Sequence, residues 1–295
     1  MLAVDGNGNG SIDIRMRGMD RNATQVLIDG EKVGGGGQSG QIPLDQLPSD
    51  LIERVEVLRA PSAEHSGASG GTINIVLRQP SVKSETSVRL THQQVWGQNA
   101  LQSFFSKTGP VTEPAKEPDA IPVQPWTYFL AAGALERITG SDVERQTSTF
   151  GTNPSTLTSH DAYRYRTGQV WMVPRLSGRL GPLDQLNLRG MYVGTETRGR
   201  IGSVGQGADS FGPVSSLVQD QTHTERGMLQ MRGDWTHRFK GSKWETFLST
   251  QSNSEKIDRT RSQTLTQASG QGATTSQFGD DQRERMVTLS SKLTG

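Results

Sequence analysis

Period-two alternation of apolar and polar residues runs through the second half of the chain and restricts it to β-sheet. The pattern is clearest in 170–180, 185–193 and 228–236, and it is weaker in 84–94, 127–138, 243–252 and 284–293. In 185–193, for example, apolar Leu186, Leu188 and Tyr192 share one face. Alternating segments of about ten residues are typical of membrane β-strands, which have one apolar face and one wet face. About eight such strands are predicted.

The connections between these segments alternate in length. Gly181–Asp184 and Lys240–Ser242 are short turns, whereas polar stretches at 139–163, 199–224 and 256–282 are predicted to be long loops. Short turns on one side and long loops on the other are typical of outer-membrane barrels. Aromatic residues fall near the predicted strand ends: Trp126, Tyr128, Tyr192, Trp235 and Trp244. The proline-rich segment 107–126 does not fit this alternation of short turns and long loops.

Composition excludes several classes of protein. Apolar residues make up only 32% of the 295 residues, which is low for a water-soluble globule. The formal net charge is +1, so a general nucleic-acid binder is not expected. The chain has no cysteine, which excludes disulfides and cysteine-ligated metals. It also contains no apolar run of about 18 residues, so no transmembrane helix is expected.

A soluble β-rich structural protein stays open as an alternative, because a β-sandwich also has alternating strands with one apolar face. The two interpretations differ in where the apolar faces of 170–193 and 228–250 point. A membrane barrel turns them outward, whereas a sandwich packs them against a second layer.

The first half of the chain reads as a compact α/β segment and carries the motifs that identify a family. They are Ile14–Met19, Val26–Gly30, Ile42–Leu44, Leu51–Ser62 and Gly67–Val76. In this order and spacing they resemble the plug of TonB-dependent outer-membrane receptors of the siderophore-receptor kind. Ala60 and Glu64–Ser66 depart from the family pattern, but both lie in turns.

The resemblance implies a mainly β protein: a partial α/β plug in 1–80, followed by an incomplete antiparallel transmembrane β-barrel in 81–295. Such a barrel has about 22 strands, so about eight would be present. The family's signal peptide, TonB-contacting box and first half of the plug are not found in the sequence. We therefore expect a fragment or truncated product of an outer-membrane protein, not competent for transport alone.

The resemblance also implies roles for individual residues. Family plugs dock on the barrel wall through arginine–carboxylate pairs, which makes Arg17, Arg54 and Arg59 docking candidates, although Glu53 and Glu56 could equally pair within the plug. The other candidates are ligand contacts in the loop 31–41, namely Lys32, Gln38 and Gln41, and turn glycines at Gly30, Gly67, Gly70 and Gly71. Glycine suits such turns because it tolerates positive φ.

The function implied is uptake of a ferric siderophore or another scarce, bulky nutrient, with a TonB-type energy-transducing protein and outer-membrane lipid as partners. No enzyme activity, cofactor or metal site is expected. The run Asp5–Asp13 matches the start of an EF-hand loop, but Met16 replaces its bidentate glutamate. A non-transporting cell-surface protein that uses the plug for binding or signalling stays open as an alternative.

Overall fold

The computed structural model describes residues 2–6, 12–16, 24–32, 49–58, 71–111, 126–151 and 154–295. These residues form fourteen strands and one turn of 3-10 helix at Ser49–Leu51, and they contain no α-helix. Two strands, β1 (Leu2–Gly6) and β2 (Ile12–Met16), pair with each other as an antiparallel hairpin. The other twelve strands form a small sheet and a large sheet.

The large sheet contains eight antiparallel strands in chain order. They are β7 (Glu85–Val95), β8 (Gln98–Pro110), β9 (Thr127–Thr149), β10 (Ser155–Arg179), β11 (Asp184–Asp209), β12 (Gly212–Arg238), β13 (Lys243–Gln267) and β14 (Gly270–Thr294). The prediction of an antiparallel sheet of about eight strands is confirmed. Each predicted segment lies inside one of these strands to within one residue, and the segment 107–126 contributes the end of β8.

The predicted long loops are wrong. Residues 139–163, 199–224 and 256–282 are mostly strand, and the strands there meet at short turns such as Ser210–Phe211 and Ala268–Ser269. A ladder needs only backbone pairing, so polar side chains on both faces do not stop a strand once its neighbour is in register. Period-two alternation of hydrophobicity detects the apolar part of each strand and misses its polar extension. His160 and His223, predicted in loops, therefore lie on β10 and β12.

The small sheet has the order β4-β3-β6-β5. Its strands are β3 (Thr24–Ile28), β4 (Glu31–Lys32), β5 (Ile52–Leu58) and β6 (Gly71–Leu77). β3 and β6 pair in parallel, while β4 and β5 pair antiparallel to their neighbours. β6 is buried at six of its seven positions, as expected for a central strand covered on both faces.

One hydrophobic core joins the two sheets. Ile28, Leu51, Ile73, Ile75 and Leu77 of the small-sheet segment pack with inner-face residues of the large sheet, namely Phe104, Phe129, Ala131, Trp171, Val173, Met191, Val193 and Met228. The small sheet therefore covers one face of the large sheet, which we call the inner face.

The opposite face of the large sheet is apolar and exposed. It presents Val170, Met172, Leu188, Tyr192, Leu229, Met231 and Leu248, each at least 41% exposed. In β10 this outer apolar band runs from Val170 to Gly178, or about 26 Å along the strand. These side chains meet no second protein layer in the described residues, as the membrane interpretation predicts and the sandwich interpretation does not.

Aromatic rings mark the end of the outer apolar band that lies next to the turns Gly181–Asp184 and Lys240–Ser242. Trp235 lies 5.7 Å from Trp244 and 5.9 Å from His237, measured between ring centroids. Trp126 lies over Gly178, where an added Cβ would come within 2.2 Å of the indole. Rings with an apolar body and a polar edge are typical of membrane–water boundaries.

Candidate functional site

Three carboxylates of the small-sheet segment face three arginines of the inner face. The ion pairs are Asp29–Arg175, Glu31–Arg232 and Asp50–Arg89. All three arginines lie on strands of the large sheet, at β10, β12 and β7 respectively. The two sheets are thus joined by charge pairs as well as by the shared apolar core.

Asp29 is held by the turn between β3 and β4. Its φ is 51° and that of Gly30 is 81°, both in the left-handed region. Asp tolerates this conformation better than most residues, and glycine adopts it without strain. The turn aims one carboxylate oxygen at the Leu77 amide, which donates a hydrogen bond of 3.0 Å, and the other at Arg175.

Arg175 is almost fully enclosed, since its side chain is 2% exposed and that of Asp29 is 11% exposed. Burying two charges is costly unless they are paired in good geometry. The Nε and Nη1 atoms of Arg175 are buried without a hydrogen-bond partner among the described residues. Arg175 also lines a cavity of about 20 Å³, which has room for about one water molecule.

Glu31 follows two residues later and anchors β4 to β12. Gln230 donates a 2.5 Å hydrogen bond to its carboxylate, and Arg232 pairs with the other oxygen. Arg232 is fixed from two further sides, by Asp234 at 2.6 Å and by the Phe247 ring, whose centroid lies 3.8 Å from the guanidinium carbon. The Arg232 guanidinium is therefore held from three sides.

Comparison with known proteins identifies the small-sheet segment. Residues 1–72 match the TonB-dependent Receptor Plug Domain family. The first quarter of the chain is thus similar to the plug domain of TonB-dependent receptors. From here on, we call the segment that contains the small sheet the plug and the large sheet the wall.

The chain is similar to an iron-regulated outer-membrane protein and to siderophore receptors. An iron-regulated outer membrane virulence protein of Vibrio cholerae is 27% identical over 252 residues, which are 79% of this chain and 33% of that protein. The chain thus spans about a third of the length of this relative. The ferric enterobactin receptor of Pseudomonas aeruginosa aligns over 98% of this chain and 56% of its own, with 15% identity and a TM-score of 0.44. A siderophore receptor of Acinetobacter baumannii aligns over 94% and 54%, with 13% identity and a TM-score of 0.35.

Arg54 is the one predicted docking arginine that the structure describes. It lies exposed on β5 and bonds to Glu56 at 2.9 Å and to Glu53 at 3.1 Å, on its own strand. This is the pairing within the plug that the sequence left open. Arg17 and Arg59 lie outside the described residues, so a docking role for either stays a prediction.

The structure describes only some of the other predicted site residues. Lys32 is the last residue of β4, whereas Gln38, Gln41, Gly67 and Gly70 lie outside the described residues. Gly71 begins β6 with a φ of 122°, a value that favours glycine.

A hydrogen-bonded chain links the Asp29 turn to Arg54. The Gly30 amide donates to the side chain of Asn74 at 2.8 Å, and Asn74 donates to Glu56 at 2.8 Å. The hydrogen bond from Asn74, helped by that from Arg54, lowers the pKa of the Glu56 carboxyl below its ordinary value. The exposed edge of the plug and its docking turn thus share one polar network.

The sequence prediction placed the docking arginines on the plug, whereas the described contacts put them on the wall. Arg175 and Arg232 fall on the polar face of clear alternating segments, and an arginine there is also consistent with a wet barrel interior. Asp29 and Glu31 flank Gly30, but their facing partners are 146 and 201 residues away. Only the fold brings these residues together.

The described residues offer no other obvious chemistry. They contain no helix long and apolar enough to cross a membrane. They also contain no group of His, Cys, Asp and Glu residues arranged to hold a metal ion.

Proposed function

We propose that this chain forms plug and barrel wall of an outer-membrane receptor that takes up a ferric siderophore or a similarly scarce, bulky nutrient. One observation carries the proposal. The plug is held on the inner face of the wall by ion pairs, of which Asp29–Arg175 is the most buried, while the opposite face of the same strands is an exposed apolar band. A wall that is apolar outside and polar inside suits a lipid bilayer around a filled pore.

Plug docking through ion pairs suits a gate better than an apolar core alone would. Charge pairs give little net stability against well-packed apolar residues, but they specify one geometry. Once water enters, separated charges are solvated, so the pairs stop resisting displacement. We propose that a TonB-type energy-transducing protein supplies the work that first opens the Asp29–Arg175 and Glu31–Arg232 contacts.

The remaining assignments are part of the proposal. Arg17 and Arg59 would add docking contacts, and Lys32, Gln38 and Gln41 would lie in a ligand-facing loop of the plug. In the described sheet, β7 and β14 each pair on one side only. Unpaired backbone groups in lipid cost several kcal/mol each, so transport should require further strands that pair with both edges.

Uptake of radioactive iron tests the proposal. Cells lacking their own siderophore receptors would express either this chain or a receptor in which the chain replaces the corresponding plug and wall. The replacement receptor should restore uptake of a ferric siderophore, and uptake should stop when the energy-transducing protein is deleted. Surface binding without energy-dependent uptake would favour the non-transporting alternative, and absence of the protein from the outer membrane would contradict both.

A further inference from the structure

Four arginines form a cluster on the outer face of the wall, between the outer apolar band and the hairpin tips. Arg164 lies directly opposite Arg200 in the register of β10 and β11, and Arg166 lies directly opposite Arg198. All four share the face of Val170, because the side-chain period of a strand is two. Like charges at directly opposite positions destabilise a sheet, so this arrangement has a cost in stability. We call these four residues the outer arginine cluster.

Three members of the outer arginine cluster are paired with carboxylates, and one is not. The pairs, at 2.7, 2.5 and 2.6 Å, are Arg164–Asp142, Arg166–Glu136 and Arg198–Glu196. Arg200 is exposed and has no ion-pair partner among the described residues. Because a guanidinium has more N–H donors than one carboxylate can accept from, the paired arginines keep donors for a further anion.

The positive excess on the outer face is local to β10 and β11. The next outward acid on β9 is Glu144, which lies opposite His160 and about 13 Å beyond Arg164 along the strand. On β12 to β14, from the band to the tips, the outer face carries acidic and basic residues in equal number: Glu225, Lys256, Asp258, Asp281, Arg283 and Arg285. An anion is therefore attracted most strongly to the outer arginine cluster.

A tryptophan side chain packs on the outer arginine cluster from a neighbouring hairpin. The two-residue turn between β7 and β8 consists of Trp96 and Gly97, whose φ values are 55° and 72°. Asparagine and glycine favour this left-handed conformation in such turns, whereas a bulky residue rarely adopts it. The Trp96 ring centroid lies 4.3 Å from the guanidinium carbon of Arg164, and Trp96 is still 52% exposed. A strained turn thus places an exposed indole beside the arginines.

The outer arginine cluster is continuous with the outer apolar band. Arg166 and Val170 are four residues apart on the same face of β10, or about 13 Å along the strand. A molecule that contacts both needs an apolar tail for the band and an anionic group for the arginines, and an anionic lipid has both. Guanidinium forks match phosphate oxygens, and indole rings favour the boundary between membrane and water.

We propose that the outer arginine cluster, together with Trp96, binds the phosphate of a lipid in the leaflet next to the hairpin tips, with the acyl chains of that lipid on the outer apolar band. The inference rests on the proposed placement of the wall in a bilayer, and not on which nutrient is taken up. An anion between the arginines offsets the repulsion of like charges at opposite positions.

Native mass spectrometry of the full chain, folded in a neutral detergent, tests the inference. The probes are lipid A with its phosphates, the same lipid A after dephosphorylation, and glucosamine phosphate, which has no acyl chains. We expect the phosphorylated lipid to bind at least about tenfold more tightly than either of the others. Equal binding of the two lipids would overturn the phosphate contact, and equal binding of glucosamine phosphate would overturn the assignment to a lipid.

Arginine variants test the cluster itself. Arg200→Gln leaves no carboxylate without a partner and should weaken binding of the phosphorylated lipid by about fivefold, and adding Arg198→Gln should bring the loss to roughly tenfold or more. The matched control is Arg283→Gln on β14. Arg283 is 74% exposed and lies 3.4 Å from Asp281, compared with 72% and 2.6 Å for Arg198 and its carboxylate. The control should leave lipid binding unchanged.

Trp96→Asn separates lipid binding from folding. Asparagine suits the left-handed turn, so the melting temperature should rise, while binding of the phosphorylated lipid should weaken by roughly twofold to fivefold because the ring is lost. Unchanged lipid binding in this variant would remove Trp96 from the site. Unchanged binding in the arginine variants would overturn the inference and leave the receptor function standing, whereas failure to reach the outer membrane counts against the receptor function itself.

Discussion

Asp29 has a left-handed backbone conformation and a nearly buried charge. A substitution that keeps the backbone conformation and removes the charge tests what the charge contributes. Asp29→Asn keeps the side-chain size and tolerates the φ of 51°. It leaves the Arg175 guanidinium enclosed without a counter-charge, which should destabilise the docked plug by about 3–5 kcal/mol. Urea unfolding followed by tryptophan fluorescence measures the loss.

Two further variants complete this prediction. Adding Arg175→Met to Asp29→Asn should recover part of the lost stability, because no unpaired charge then stays buried. Glu53→Gln, which affects the exposed pair with Arg54, should leave the unfolding midpoint unchanged. A stable Asp29→Asn single variant would show that the ion pair does not hold the plug.

Glu56 provides a prediction about pH. Its pKa is lowered by the hydrogen bond from Asn74 and then by that from Arg54. A lowered pKa in the folded state means that the carboxylate stabilises the plug above its ordinary pKa, and that this contribution is lost as the pH falls through the folded value. In Asn74→Ala, carbon NMR titration should show the Glu56 pKa moving up, with a smaller loss of stability in acid. An unmoved pKa would contradict the assigned cause.

At the scale of the element, Gly133 lets β9 accept the Trp171 ring from β10. A Cβ at Gly133 would lie 2.4 Å from both the indole and the carbonyl oxygen of Ser103. Because the carbonyl belongs to the backbone, Gly133→Ala should cost about 1–3 kcal/mol through overpacking. Gly168→Ala is the control, since nothing lies within 4 Å of its added Cβ. Equal melting temperatures for the two variants would refute this account.

At the scale of the whole molecule, the outer apolar band should behave as a lipid-facing surface. Leu248→Arg puts a charge into the band, where it should cost roughly 2–4 kcal/mol near the bilayer centre. Leu217→Arg puts the same charge on the outer face of β12, beyond the band towards the hairpin tip, and should cost little. Fractionation of the outer membrane measures how much of each variant is inserted. Equal insertion would mean that Leu248 does not face lipid.

The sequence predicted the fold class and the faces of the strands. Leu188 and Leu229 were predicted to point outward from alternation alone, because a side-chain period of two is a local property of the strand. The plug motifs also lie close together in the chain, so their order and spacing were readable. The strand extensions were missed because 199–224 has no apolar face, and only a neighbouring strand in register stabilises it.

What the sequence determined is which residues share a face and which family the first residues resemble. Only the tertiary structure decided which carboxylate of the plug pairs with which arginine of the wall. Asp29 and Arg175 are separated by 146 positions, and each looks like an ordinary surface residue in its own segment. Their pairing depends on the angle at which the plug meets the wall, and that angle is set by the apolar core between them and not by any local pattern.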